Sequence, residues 1–230
     1  MFEWIVGLLK STIEYQGYLE NGWTSPVVFT ACAASAFTVF QGYGLWKQGR
    51  VIWREKSAQG ISILMALYFF FYFAAMIFYG LSKASVAIIF SHAFIVSVQL
   101  YVVTGIIKFR GLAPREWLVF ACFGLIVPAM IAVENKDVFL LILLGVLMVT
   151  MVSQTIEVYK AWRKGNPGVI EPLVFVTIIV AGTFWFLYGL YARNWVYVTF
   201  NPVAVVNFVV ALLFWHLAKK KKVRQNMDAH

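Results

Sequence analysis

The sequence predicts an all-α integral membrane protein, with seven transmembrane helices forming two parallel three-helix bundles joined by a linker helix. Three observations predict it. The chain of 230 residues is 62% hydrophobic and 18% aromatic with 13% charge, more apolar side chain than a water-soluble core of this size can hide. The apolar residues come in runs of roughly 18 to 25, the length that crosses ~30 Å of hydrocarbon. Finally, Ile77-Phe78-Tyr79-Gly80-Leu81 returns as Phe186-Leu187-Tyr188-Gly189-Leu190, 109 residues on, with a polar residue thirteen positions beyond each tyrosine: His92 and Asn201.

Residues 1–25 form a first segment. Phe2, Ile5, Val6, Leu9 and Ile13 share one helical face while Glu3, Lys10 and Glu14 lie elsewhere, the pattern of an amphipathic helix in the headgroup layer. The start is not basic and its apolar piece is too short for a signal peptide. Pro26 then opens the first span, where a missing N–H costs nothing. Spans are expected over 26–46, 61–81, 84–108, 117–133, 138–159, 171–191 and 195–218. They must be helical, because hydrocarbon offers backbone groups no partners and seven such strands do not close a usual barrel. The domains follow as a first bundle over 26–108, a linker helix with its loops over 109–137, a second bundle over 138–218 and a basic tail over 219–230.

Charge sets the orientation. Lys47, Arg50, Arg54 and Lys56 follow the first span, and Lys108, Arg110 and Arg115 follow the third. Lys160, Arg163 and Lys164 follow the fifth, and Lys219 to Lys222 with Arg224 follow the seventh. The opposite side holds Lys10, Lys83, Lys136 and Arg193. This asymmetry places the N-terminus outside and the C-terminus in the cytoplasm, across a bacterial inner membrane or a eukaryotic membrane. The lysine run then reads as a topological anchor against lipid headgroups, and nucleic acid is not an expected partner.

No catalytic constellation is visible. There is no glycine-rich phosphate loop, no nucleophile elbow and no clustered His/Cys/Asp/Glu set, so neither an enzyme, a metal nor a cofactor is expected. Cys32 and Cys122 read as small apolar packing residues. Glu157 is placed to pair with Lys160 or Arg163, and His216 lies at the inner headgroup level.

The repeat extends through both halves. The first runs from Phe40-Gln41-Gly42-Tyr43 through a basic loop to Tyr79-Gly80 and on to His92. The second runs from Ser153-Gln154-Thr155-Ile156 through Lys160–Lys164 to Tyr188-Gly189 and on to Asn201. Equivalent helices are four spans apart, so both copies enter the membrane in the same direction, and the fourth span, with Pro128, is the inverting linker. Such a 3+1+3 order puts a pseudo-twofold axis along the membrane normal and a site between the halves.

The segment Lys56-Ser57-Ala58-Gln59-Gly60-Ile61-Ser62 resembles the loop signature of PQ-loop proteins. Trp185-Phe186-Leu187-Tyr188-Gly189-Leu190 with Asn201-Pro202 resembles the second bundle of the SWEET transporters. The resemblance covers about residues 27–107 and 138–217. It implies that Asn201 faces a central cavity and bonds substrate, that His92 holds the partner position where the family has Asn, and that Trp185 is the pocket aromatic, with Met76 at its place in the first copy. It also implies gate and hinge roles for Gln41 and Gln154. Phe40 and Ser153 stand where the Pro-Gln pair has proline, leaving Gly42 and Gly44 to supply local flexibility. The residues themselves leave other roles open. His92 and Asn201 are also placed to bond neighbouring helices as interhelical glue, and Trp185 to pack or face lipid.

The expected function is a SWEET-like carrier of a small polar solute, sugar first, working by alternating access, with proton coupling open through His92. The absence of a buried acidic residue argues against a tightly held cation. The alternative is a non-transporting PQ-loop-like receptor, assembly factor or membrane subunit. The sequence leaves a homo-oligomer or a membrane-complex partner open.

Overall fold

Residue 7 and residues 10–227 are described in the computed structural model. Among them the regular structure is helical throughout, and seven helical stretches are long and apolar enough to cross a membrane. A short helix, α1 (Ile13–Asn21), and a 3-10 turn precede the first span. The first bundle is α2 (Pro26–Glu55), α3 (Ile63–Ser82) and α4 (Val86–Arg110). The linker is α5 (Pro114–Gly124) with α6 (Ile126–Ala132), and the second bundle is α7 (Lys136–Lys164), α8 (Leu173–Tyr191) and α9 (Trp195–Met227). The expected fold class is therefore observed. Of the proposed amphipathic face, Ile13 opens α1, while Phe2, Ile5, Val6 and Leu9 lie outside the described residues.

Helix starts follow their capping chemistry. The Ser62 and Ser85 hydroxyls accept from the Met65 and Ile88 amides, and the Asn135 side chain accepts from Val138 N–H, each satisfying a first-turn donor that the helix leaves unpaired. Pro26 and Pro114 occupy first-turn positions. The linker breaks at Leu125, three residues before Pro128, because proline cannot donate to the Gly124 carbonyl and its ring crowds that turn. Three helices clearly overrun the expected spans: α2 continues to Glu55 through the basic residues, α7 runs on to Lys164, and α9 carries the lysine run as helix to Met227.

Within each bundle the third helix packs against the first and the second. Between bundles, α2 lies closely along α8, and α3 meets α7 less extensively, with the linker covering α3. The Tyr-Gly glycines make these bundles compact. A Cβ on Gly80 would fall 2.9 Å from Ile88, and one on Gly189 would fall 2.7 Å from the Cβ of Tyr197, so the absent side chain lets the third helix of each bundle approach the second.

The outer surface of the bundles is apolar. Phe29, Phe90, Leu118, Leu125, Val149 and Val206 are all exposed large hydrophobics, a belt that hydrocarbon and not water would solvate. Cys32 and Cys122 are exposed on it. Their expected packing role is corrected: each falls on the outward face of its helix, where a small apolar side chain needs no protein neighbour.

Gly189→Ala is expected to lower stability by about 1–3 kcal/mol through overpacking. Gly145→Ala, with nothing within 4 Å of the added Cβ, should raise it by roughly 0.5–1 kcal/mol through helix propensity. Thermal unfolding of the two purified variants in one detergent checks both.

Candidate functional site

Hydrogen bonds between the bundles concentrate at the two ends of the helices and leave a cavity between them. At the end with loops 56–62 and 165–172, two glutamines reach across. Gln154 on α7 accepts from Ser62 N–H (2.8 Å) and donates to the Gly60 carbonyl (3.1 Å). Gln48 on α2 accepts from Glu171 N–H (2.8 Å) and donates to the Val169 carbonyl (3.0 Å). Residues 60 and 62 correspond to 169 and 171 in the repeat, so the two clasps are equivalent. Val169 N–H also donates to the Gln59 carbonyl at 3.2 Å, joining the loops directly. Ser62 and Ser153 hydroxyls lie 2.6 Å apart, so the residue in the proline position of the second copy joins the same clasp.

At the other end the two repeat tyrosines do the crossing, each with a carboxylate. Tyr79 donates to Asp137 at the start of α7 (2.9 Å) and accepts from the Asn194 amide at the start of α9 (3.1 Å), while Lys83 pairs with the same Asp137 at 2.7 Å. Tyr188 donates to Glu14 of α1 (3.0 Å) and lies 3.0 Å from the Ser85 hydroxyl, which also donates to Glu14. Ser85 and Asn194 are again 109 apart. The second oxygen of Glu14, Oε2, is buried with no hydrogen-bond partner among the described residues. Sequence reasoning missed these residues, apart from the tyrosines. For Ser85 and Asn194 the signal that could have found them is their shared offset within the repeat; Glu14, Lys83 and Asp137 have none.

The cavity between the ends is small, with a volume of about 70 Å³. The first bundle lines it with Thr38 and Gln41 of α2, Phe69, Tyr72 and Phe73 of α3, and His92 and Ile95 of α4. The second adds Leu147, Met151, Ile178, Gly182, Trp185, Tyr197, Phe200, Asn201, Ala204 and Phe208. His92, Trp185 and Asn201 are thus brought together with Gln41. The His92 ring is 5.7 Å from Trp185 and 5.7 Å from Phe73, and Trp185 stacks on Tyr197 at 5.0 Å.

Internal bonds fix the polar groups. His92 Nδ1 donates to the Ile88 carbonyl (2.7 Å), Asn201 Nδ2 to the Tyr197 carbonyl (2.9 Å), and Trp185 Nε1 to the Thr38 hydroxyl (2.9 Å), which in turn donates to the Ala34 carbonyl. The first two tethers are the same device, a side chain bonded to the carbonyl four residues back. Among the described residues no ionised side chain lines the cavity.

Three expected positions fall elsewhere. Met76 is fully buried but does not line the cavity; the repeat offset fixes its height, and its side chain turns into the bundle interior. Gly42 lies mid-helix where an added Cβ would strike the Phe94 ring, so its absent side chain admits α4. Gln41 faces the cavity, and the first-bundle counterpart of Gln154 is Gln48. The pair is 106 residues apart, not 109, because the stretch from Gln154 to its loop is three residues longer than that from Gln48. Among the remaining expectations, Glu157 pairs with Lys160 at 2.8 Å on the surface, and His216 is exposed.

No protein-family model matches the chain, and no curated protein matches it. Among solved structures, the 3.7 Å resolution structure of a eukaryotic SWEET transporter is similar, with a TM-score of 0.58 at 14% identity, over 85% of this chain and 97% of that one. The likeness is one of fold: the chain is an integral membrane protein of SWEET-like architecture.

Gln48→Ala and Gln154→Ala each remove two bonds across the bundles and strand buried backbone groups, so each is expected to destabilise by about 1–3 kcal/mol. Gln41→Ala, whose side chain makes no hydrogen bond among the described residues, should change stability by less than either. Unfolding midpoints of the three variants separate these outcomes.

Proposed function

We propose that the chain is a carrier for a small, uncharged polar solute, moved by alternating access between the two bundles. The observation that carries this reading is the cavity itself. It lies on the interface between two equivalent bundles, it brings a polar residue from each copy of the repeat to one place, and cross-bundle hydrogen bonds span both of its ends. Binding on such an interface lets one site face either end as the bundles rock. His92 and Asn201 offer hydrogen bonds and Trp185 a flat wall. The glutamine clasps and the tyrosine–carboxylate pairs are the contacts that would part in turn. The likeness to a SWEET transporter makes a sugar the first solute class to test. The basic loops favour a glutamine end in the cytoplasm and a tyrosine end outside.

A second reading has one observation in its favour. The first helices of both bundles, α2 and α7, run unbroken for 30 and 29 residues, without the proline hinge that would ease rocking. A receptor or membrane subunit needs no such motion, and α1 with the helical basic extension would then meet a partner chain.

Counterflow of a labelled solute in proteoliposomes tests the carrier. His92→Ala and Asn201→Ala are each expected to lower initial uptake by about tenfold or more, the effect of losing roughly one hydrogen bond's worth of binding. Unchanged flux in both variants sinks the proposed site. A stable co-purifying partner with no flux of any solute favours the second reading.

A further inference from the structure

We propose that α1 is a lid built onto the first bundle, and that it holds the outside end of the cavity shut by fastening Tyr188 of the second bundle through Glu14. The proposal rests on the cavity opening to each end in turn. It goes further by assigning control of the outward step to a helix that lies outside both copies of the repeat.

α1 is fixed to the first bundle at two places. At its start Ile13 N–H donates to the Ala84 carbonyl in the turn between α3 and α4 (3.2 Å). At mid-helix Gly17 lies against the head of α2, where an added Cβ would fall 3.0 Å from Ser25 Oγ and 3.7 Å from Val28 Cγ2. The covalent path is short as well, since the 3-10 turn Gly22–Thr24 and Ser25 are all that separate α1 from α2. α1 therefore moves with the first bundle.

It reaches the second bundle through Glu14. One oxygen, Oε1, accepts from the Ser85 hydroxyl at the head of α4 and from the Tyr188 hydroxyl on α8 (3.0 Å), so a single atom joins the bundles. Bonds to a carboxylate are roughly twice as strong as those between neutral groups. Tyr188 carries this hold inward. It is fully buried, it meets Trp185 edge-on at 5.4 Å and Tyr197 at 6.1 Å, and both of those rings line the cavity.

The repeat partner Tyr79 is held less firmly. When Tyr79 lets go, Asp137 keeps Lys83, and its side chain is half exposed to solvent. When Tyr188 lets go, Glu14 keeps the Ser85 hydroxyl alone, and its Oε2 is already buried with no hydrogen-bond partner among the described residues. A buried carboxylate that loses a donor costs more than an exposed one that keeps a cation. The lid, more than the symmetric part of this end, sets how readily the cavity opens outward.

The test is outside access to the cavity, read without any solute. The full chain carries Gln41→Cys as the reporter, Cys32→Ser and Cys122→Ser remove the lipid-facing thiols, and a membrane-impermeant maleimide is added to intact cells. Glu14→Ala is expected to raise the labelling rate by about tenfold, and Tyr188→Phe, which keeps the ring, to raise it in the same direction. Gln48→Ala, which weakens the opposite end, is expected not to raise it. Unchanged labelling with both Glu14→Ala and Tyr188→Phe overturns the proposal. So does a rise with Tyr188→Phe alone, which assigns the closure to the Tyr188–Ser85 contact. A rise with Gln48→Ala as well means general loosening and also overturns it. Labelling raised as expected with no flux of any solute keeps the lid and sinks the carrier, while flux with unchanged labelling keeps the carrier and sinks the lid.

Discussion

Hydrocarbon offers polar groups no water, so each such group within the spans must find a partner in the protein or cost several kcal/mol unpaired. Here that constraint is met along the interface between the two bundles. Gln48, Gln154, Tyr79 and Tyr188 each belong to one bundle and bond to the other, or in the case of Tyr188 also to the α1 helix that precedes it. The glutamines satisfy loop backbone that no helix pairs. Ser62 N–H, for example, precedes its own helix and would otherwise be an orphan donor. The bonds that let these loops exist at the membrane boundary are therefore the bonds that hold the bundles together. Any relative movement of the bundles has to exchange them for water, and water is available only at the ends.

The two ends are built with different degrees of symmetry. The glutamine clasps repeat bond for bond. At the tyrosine end the tyrosines and their Ser85 and Asn194 partners obey the repeat, but the carboxylates do not: Asp137 starts α7, whereas Glu14 comes from α1, outside either bundle. The Asp137 pair is also exposed enough for Lys83 to share it, while Glu14 keeps a buried oxygen with no partner among the described residues. The packing is unequal in the same sense, close between α2 and α8 and looser between α3 and α7. The copies thus share a frame, and what differs between them has been added at its margins.

That division explains which parts were legible in the sequence. Span count and fold class follow from apolar run length, because hydrocarbon thickness is an external ruler that no tertiary contact overrides. Tyr79, Tyr188, His92 and Asn201 were legible because the second and third helices of each bundle keep one offset from tyrosine to polar residue. Gln48 was hidden because the stretch from clasp glutamine to loop differs by three residues between the copies, which made Gln41 look like the match for Gln154. Offset alone fixes height and not direction, so Met76 could be placed at its level but not turned toward or away from the cavity. Glu14 and Asp137 carry no repeat signal at all. Cys32 and Cys122 show the converse: in a bundle solvated by lipid, an apolar residue is equally at home inside or outside.

The unequal pair at the centre is chemically closer than its residue names imply. His92 donates through Nδ1 to the carbonyl of Ile88, and Asn201 donates through Nδ2 to the carbonyl of Tyr197, and residues 88 and 197 are themselves repeat equivalents. Each side chain is thus tied to its own helix four residues back, at the same height, by its only fixed donor on that side. Each then has an acceptor free: an imidazole nitrogen in one copy, an amide oxygen in the other. Replacing Asn by His across the axis preserves the tether and the sign of the group left over. What it changes is reach and shape, since the imidazole is also a ring that extends the aromatic wall between Phe73 and Trp185. A twofold site for a twofold ligand would gain nothing from that change. A site between unequal copies gains a stacking face while losing no acceptor, so the asymmetry of the repeat reshapes the cavity wall and leaves its hydrogen-bonding sense unchanged.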